Sequence, residues 1–314
     1  MSVFRGLTFI LCYAFNQGKS VSADRLPTEF KAFTRIEILG VPSLIWIAIL
    51  ATLFFYYLLS HTITGRKIYA VGSNAQAARL AGIGVGKVTF LSYLLAGALA
   101  GAGGVLWASR YASAESSAAM GFEFVAITAV VLGGVNIAGG SGSILGVVLG
   151  ALLIGSITNS LNLARISPFW KLGINGAIIL IAVIVDKRLS RRTAAHSDDA
   201  ATLMTGKPAV PWELVLLAIF LIFNVSMALT TPHYLDMYNL FDMTVMFSEK
   251  AILAMIVAFV IITGNIDLSV GSTMALSSVS MAIAFRSGMN IWLAALLGIG
   301  VGAVETFCFG VAAE

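Results

Sequence analysis

The feature that most constrains this chain is a polar interruption between two apolar runs. Residues 264–272 carry two glycines, the carboxylate of Asp267 and three small polar side chains, and they separate the apolar residues 251–263 from 273–285. A charge at bilayer depth costs ~3 kcal/mol or more, so it normally lines a cavity or a pathway. Backbone that departs from a helix is tolerated there only where protein or water satisfies it. We therefore predict that both runs enter a membrane, and that each is too short to cross it alone.

The composition indicates a membrane protein. Of the 314 residues, 59% are hydrophobic and only 11% are charged, and the mean hydropathy is +0.94. Soluble domains carry roughly 25% charged residues. The net charge of +4 would favour nucleic-acid binding in a soluble chain. Here we attribute the basic loops to membrane topology and anionic lipid, and we predict no nucleic-acid partner.

Two further features are interpreted from the same composition. Cys12 and Cys308 lie far apart in apolar runs without metal-ligand spacing, so both are predicted to be packing residues. The start of the chain lacks a polar cleavage site after its short apolar run, so we expect no removable signal peptide.

The apolar segments predict an all-α, polytopic integral membrane helix bundle with about nine transmembrane or re-entrant segments. They cover residues 41–60, 88–108, 122–138, 144–163, 168–185, 212–231, 249–263, 272–285 and 291–311, with a shorter run at 4–15. A polar stretch, 186–211, is typical of a linker. It divides the chain into residues 1–190, a cytoplasmic linker at 191–207, and residues 208–314.

Basic residues in loops predict the orientation. The loop 61–87 contains Lys and Arg but no acidic residue, and the linker is also basic. The positive-inside rule places both in the cytoplasm. The stretch 16–40 disagrees with the rule, because it is also rich in Lys and Arg and would lie outside.

Small residues recur at the spacing that lets membrane helices pack closely. The glycines concerned are Gly97 with Gly101, Gly298 with Gly302, and the series Gly142, Gly146 and Gly150. Generic helix packing is the simplest interpretation of all three sets, in preference to a specific dimer interface.

Residues 131–143 resemble 264–272. Each stretch follows an apolar run, contains Gly, Asn and Ile, and closes on Gly-Ser before another apolar run. Gly-interrupted hydrophobic segments in two parts of a transporter point to its substrate pathway. A structural repeat and a chance likeness both remain open, because glycine is abundant here. We place the predicted translocation pathway at Asn136, Ser141, Ser143, Asn265, Asp267, Ser269 and Ser272.

Three isolated carboxylates have alternative interpretations. Asp267 could bond substrate hydroxyls, pair with a basic residue, or cap a half-helix that begins near Ser269. Glu123 heads an apolar run, where an acidic residue favours a helix N-terminus. Glu305 is an odd charge in an apolar helix and could mark a disturbed sequence.

The loop 61–87 contains a predicted short helix. Asn74 is a helix cap, the residues after it up to Leu80 are good helix formers, and Gly82 is a stop signal. Such a helix would lie outside the bilayer, present Arg79, and suit docking into a partner's groove. The alternative is a connecting loop whose charges only set the topology.

No catalytic or metal-binding set is predicted. The three histidines are isolated, and the phosphate-loop pattern fails around Lys87 because position 81 is alanine and Val88 follows the lysine. We therefore expect no enzyme activity, no metal and no cofactor, and any ATP would be used by a separate subunit.

Together these motifs resemble bacterial ABC-importer permeases of the ribose, rhamnose and autoinducer-2 type. The likeness rests on residues 72–83, on 131–143 and on 266–272. It implies a multi-pass protein of the bacterial inner membrane that imports a monosaccharide or similar solute. The implied partners are an ABC ATPase, a second permease subunit, a periplasmic solute-binding protein and the lipid bilayer. The implied ATPase-coupling residues are Gly72, Asn74, Ala77, Ala78, Arg79, Gly82 and Ile83.

The order of these motifs is reversed relative to the resembled family. Residues 1–190 resemble the back half of one permease, and 208–303 resemble the front half of another, truncated after Ala303. Asn265 also stands where the family usually has glycine. Two alternatives therefore stay open: an ion-coupled secondary transporter that uses Asp267, and a fused fragment that does not transport.

Overall fold

The computed structural model describes residues 2–16, 18, 20–21, 26–167, 170, 173–174, 176–177, 180 and 211–312. The predicted linker, 191–207, lies outside the described residues, as does most of the predicted segment 168–185.

The described chain is 76% helical with almost no sheet, which confirms the all-α prediction. Its twelve helices are α1 Ser2–Asn16, α2 Thr28–Phe33, α3 Ser43–His61, α4 Ile63–Ser73, α5 Ala75–Leu80, α6 Val85–Tyr111, α7 Phe122–Leu132, α8 Ile144–Leu163, α9 Trp212–Thr230, α10 Met237–Ile262, α11 Val270–Arg286 and α12 Ile291–Ala312. Two small antiparallel ladders join them. They pair β1 Ser20–Val21 with β4 Ala114–Glu115, and β2 Glu37–Ile38 with β3 Val41–Pro42.

Five described helices, α3, α6, α8, α9 and α10, are long and apolar enough to cross a membrane. Shorter apolar helices cover Ser2–Phe15, Phe122–Leu132 and Ile291–Thr306. These helices agree with a polytopic membrane bundle, while the number of about nine segments stays a prediction.

One expectation about the segments is wrong. Residues 251–263 are not a short run, because they end a 26-residue helix, α10, that begins at Met237. The polar residues before position 251 do not stop this helix, since neighbouring helices satisfy them. Asn239 Oδ1 accepts a hydrogen bond from Asn159 Nδ2 at 3.1 Å, and Glu249 Oε1 lies 3.1 Å from Arg110 Nε. By contrast α11, with 17 residues, is as short as predicted.

The parts before and after the linker pack into one bundle. Helix α6 packs along α11 and α12, and α10 packs against α3, α7 and α8. The hydrophobic core between them is built largely from α10, whose residues 251–262 are all buried. Cys12 is buried as well, as predicted for a packing residue.

Glycines set the distance between α6 and α12. A Cβ added to Gly302 would lie 2.8 Å from the Cα of Gly101, and one added to Gly101 would lie 2.9 Å from the Cα of Ile299. The two predicted glycine pairs therefore pack against each other. The helix-packing interpretation of the series Gly142, Gly146 and Gly150 needs one correction. Gly142 precedes α8 and is not on a helix, whereas Gly146, in α8, packs on Gly133 of the α7–α8 turn.

Residues 26–40, the continuously described part of the first basic stretch, and the stretch 61–87 lie at opposite ends of the bundle. Arg35 Nη2 donates to the carbonyl of Arg110, at the end of α6, and the ring of Phe33 packs against Trp292, at the start of α12. Residues 63–83 instead precede the first turn of α6. The conflict of 16–40 with the positive-inside rule therefore remains.

The α6–α12 contact generates a stability prediction. Replacement of Gly302 by Leu (Gly302→Leu) places a side chain against the α6 backbone and should destabilise the bundle by about 1–3 kcal/mol through overpacking. Gly300→Leu is the matched control, since nothing lies within 4 Å of a Cβ added at Gly300 on the same helix. Thermal unfolding in detergent, followed by size-exclusion chromatography, measures both. Equal unfolding midpoints for Gly302→Leu and Gly300→Leu would contradict the close packing of α6 against α12.

Candidate functional site

Residues 63–83 form a two-helix arm, α4 followed by α5. Sequence reasoning predicted α5 and missed α4. Asn74 joins the two helices, because its backbone N–H donates to Ala70 O at 3.1 Å and its Oδ1 accepts from Ala77 N at 3.0 Å. The predicted helix cap at Asn74 is thereby confirmed.

The end of α5 sets which side chains the arm exposes. Gly82 has a positive φ of 80°, and Ile83 N donates to Ala78 O at 2.9 Å, a hydrogen bond that closes a helix C-terminus. Ala78 is buried and Ile83 packs on the main core. Arg79 is therefore left exposed, and Leu80 is 91% exposed.

Three backbone segments meet where the arm contacts the bundle, and we call this contact the junction. It joins Gly72 and Ser73 of the arm, Gly139 and Gly140 of the α7–α8 turn, and Ile262 with Gly264 after α10. Gly140 N donates to Ile262 O at 2.9 Å. A Cβ added to Gly139 would lie 2.7 Å from the Cα of Gly264, and one added to Gly140 would lie 2.5 Å from the Cα of Ser73.

A tyrosine adds a side-chain bond to the junction. Tyr69 Oη donates to Gly142 O at 2.8 Å. Burial raises the pKa of the Tyr69 phenol, so the phenol keeps its proton and remains a donor at neutral pH. Gly72, a predicted coupling residue, lies against both of the stretches that sequence reasoning assigned to the pathway.

The polar residues of the α7–α8 turn shape the turn itself. Asn136 Oδ1 accepts from Ala138 N at 2.9 Å, and Asn136 N donates to Ser141 O at 3.1 Å. Ser143 caps α8, since its Oγ accepts from Gly146 N at 3.0 Å, and it also bonds Glu213 Oε1 at 2.8 Å. Ser141 is exposed.

Residues 263–269 link α10 to α11, and we call them the link. Asp267 Oδ1 accepts from Ser269 N at 2.7 Å and from Ser269 Oγ at 2.6 Å. Ser272 Oγ donates to Ser269 O at 2.7 Å. Asp267 therefore orders the backbone just before α11, whose N-cap is Ser269 without a side-chain cap hydrogen bond, so the predicted capping by Asp267 is not confirmed. Asn265 lies at the junction end, where its Nδ2 is 3.3 Å from Thr263 Oγ1.

The polar and apolar side chains of the link face opposite sides. Asp267, Ser269 and Ser272 are all buried, whereas Ile266 is 53% and Leu268 is 42% exposed. The polar side chains point into the bundle and the apolar ones point out of it.

A group of buried charges surrounds the start of α11, and sequence reasoning did not assemble it. Arg5 Nη1 donates to Ser116 O at 3.0 Å and to Ala118 O at 2.8 Å. The Arg5 guanidinium also attracts Glu123 and Glu305, which are 1% and 3% exposed. In the sequence, Arg5, Glu123 and Glu305 each stand as a lone charge in or beside an apolar run. A buried charge requires a partner of opposite charge, and this was the signal that could have grouped them.

Glu305 lies near Thr273 and Arg5, but within the described residues neither of its buried carboxylate oxygens has a hydrogen-bond partner, so its interpretation as a mark of a disturbed sequence stays a prediction. Glu123 does lie in the first turn of α7, as predicted. Within the described part of the chain, no group of three or more His, Cys, Asp or Glu residues could hold a metal ion.

The chain was compared with known proteins. The family described as branched-chain amino acid transport system / permease component matches residues 1–183. The ribose import permease protein of Escherichia coli (strain K12) is 40% identical over 190 residues, which are 60% of this chain and 58% of that protein. The L-arabinose transport system permease protein of the same strain is 37% identical over 195 residues, 62% of this chain and 58% of that protein.

The D-allose transport system permease protein of the same strain is 33% identical over 190 residues, 60% of this chain and 56% of that protein. The chain thus spans less than two thirds of the curated relatives that it matches. No solved structure matches it significantly. The relatives are bacterial, and the helices make the chain a multi-pass protein of the bacterial inner membrane. With more than half of its length matched, the chain belongs to the branched-chain amino acid transport system / permease component family.

Proposed function

We propose that this chain is a transmembrane permease subunit of an ATP-driven (ABC) importer for a monosaccharide or similar polyhydroxylated solute. The observation that carries the proposal is the family match over residues 1–183, which includes the whole arm and the α7–α8 turn. The names of three relatives, which specify ribose, L-arabinose and D-allose, support a sugar as the substrate class.

The arm is the proposed contact with an ABC ATPase. It presents a cation, Arg79, next to an almost fully exposed apolar side chain, Leu80. A short helix with one apolar and one charged anchor can dock into a groove on a partner. A second permease subunit and a periplasmic solute-binding protein complete the proposed complex, and ATP is bound by the ATPase alone.

The junction is the proposed route for force. Its backbones touch without intervening side chains, so a displacement of Gly72 cannot be absorbed by a change of rotamer. Both the α7–α8 turn and the link would therefore move with the arm. Movement of these two segments would alternate access to a pathway near Asn136, Asn265, Asp267 and Ser269.

The relatives favour this function over an ion-coupled secondary transporter that uses Asp267. The remaining alternative is a non-transporting fusion of the back half of one permease, residues 1–190, with the front half of another, 208–314. Sugar uptake by cells that express the chain separates the two. Uptake of ribose, arabinose or allose that requires ATP supports the importer, and absence of uptake supports the non-transporting fusion. Uptake that persists without ATP contradicts both.

Removal of the Arg79 side chain tests the docking of the ATPase. Arg79→Ala should weaken copurification with the proposed partner ABC ATPase about 30-fold, because a central anchor contributes ~2 kcal/mol to an interface. Arg165→Ala removes an exposed arginine beyond α8 and serves as the matched control. A pull-down titration measures both variants. If Arg79→Ala binds as tightly as the control, the arm is not the docking element.

A second substitution tests the junction. Gly140→Ala and Gly288→Ala each place a side chain at a positive φ, of 75° and 94°, and each should cost ~1 kcal/mol of backbone strain. Only Gly140 lies against another backbone, whereas nothing lies within 4 Å of a Cβ on Gly288. Gly140→Ala should therefore lose about 1–3 kcal/mol more stability through overpacking. It should also reduce ATP-driven uptake by the protein that still folds.

Thermal unfolding in detergent and uptake per folded molecule are the measurements. Equal effects of Gly140→Ala and Gly288→Ala on both readouts would refute the proposed role of the junction in force transfer.

A further inference from the structure

The link runs beside α7, and its chain direction is antiparallel to that of α7. Its first residues lie at the junction, where Gly264 approaches Gly139. Just beyond its far end, in the first turn of α11, a Cβ on Gly271 would be 2.5 Å from Glu123 Oε2, at the start of α7. The 11 residues of α7 span ~16 Å. The residues from 264 to 270 reach about 20 Å when extended, which is long enough to bridge that distance.

The link reaches the middle of the bundle. Phe259, one turn before the end of α10, packs its ring 5.4 Å from that of Phe55, near the end of α3. The junction is therefore level with the last turns of α3. Since α3 has 19 residues and spans ~28 Å, about the thickness of the hydrocarbon core, a point ~16 Å further in lies near mid-bilayer.

The backbone of the link is not satisfied by the described protein. Within the described ranges, the amides of residues 266–268 and the carbonyls of residues 264–268 have no hydrogen-bond partner. Non-helical backbone at membrane depth is tolerated only when it is buried in protein or lines water. Burial in this chain is excluded on the outer side of the link, because Ile266 and Leu268 are 53% and 42% exposed there.

We propose that the link forms one wall of a water-filled cavity through its main chain, and that Ile266 and Leu268 are the side chains exposed on that wall. Asp267 and Ser269 point into the bundle and hold the link in place without touching the solute. This inference rests on the proposed function for the identity of the cavity, the sugar pathway that a second permease subunit would close. Main-chain N–H and C=O groups can exchange bonds between water and sugar hydroxyls.

Thiol labelling tests the wall on the full chain. A background without native thiols, Cys12→Ser with Cys308→Ser, receives Ile266→Cys, Leu268→Cys or the control Ile222→Cys. Ile222 is 70% exposed on the regular helix α9, where a lipid contact leaves no backbone group unsatisfied. The reagent is a charged methanethiosulfonate, which attacks thiolates, and a thiol in hydrocarbon does not ionise. Ser272→Cys, at a position that is 0% exposed, gives the labelling rate of a fully buried thiol.

We expect the charged reagent to label positions 266 and 268 at least about tenfold faster than position 222, since only a hydrated thiol ionises readily. After denaturation all four variants should label equally, which confirms that each thiol is intact. Rates at 266 and 268 no higher than at 222 would show that the link faces lipid and would overturn the inference.

The labelling needs neither ATPase nor sugar, so it separates the two proposals. Fast labelling at both positions in a chain that gives no ATP-driven uptake supports the hydrated wall and counts against the importer alone. Uptake without such labelling supports the importer and refutes the wall.

Discussion

A membrane interior offers no partner for a backbone amide or carbonyl, and this constraint explains the arrangement around the junction. The α7–α8 turn and the link both break helical hydrogen bonding in the middle of the chain. The turn is satisfied by its own Asn136 and by Ile262 O, through Gly140 N. The link is satisfied only at its ends, by Asp267 and by the last turn of α10. The two segments therefore differ: protein groups satisfy backbone hydrogen bonds of the α7–α8 turn, whereas the described residues leave those in the middle of the link without partners.

Glycine makes both the bundle and the junction possible, for the same steric reason. Between α6 and α12 it removes the side chains that would separate two helices, and at the junction it removes those that would separate three loops. Close backbone contact favours van der Waals attraction where no hydrophobic force acts between helices. The charges around Arg5 add a polar contact deep in the same bundle, with Glu123 and Glu305 on α7 and α12.

Local signals in the sequence predicted local structure well. Asn74 and Gly82 gave the bounds of α5, because caps act within a few residues, and α11 begins next to Ser269 as predicted. The length of α10 was mispredicted, since its polar residues are tolerated only through partners on α6 and α8 that are distant in sequence. The direction of Asp267 was equally beyond local reasoning. An alternation of polar and apolar residues predicts two faces, but only the packing of neighbouring helices decides which face is open.

Asn74 has a mechanical consequence. One residue ends α4 through its amide and starts α5 through its side chain, with no free residue between the two helices. A change in the angle between α4 and α5 would break the hydrogen bonds that Asn74 makes to both helices, so this angle resists change. The two helices therefore behave as a bent lever of fixed angle, and a push on the tip at Leu80 reaches Gly72 as a rotation of the whole piece.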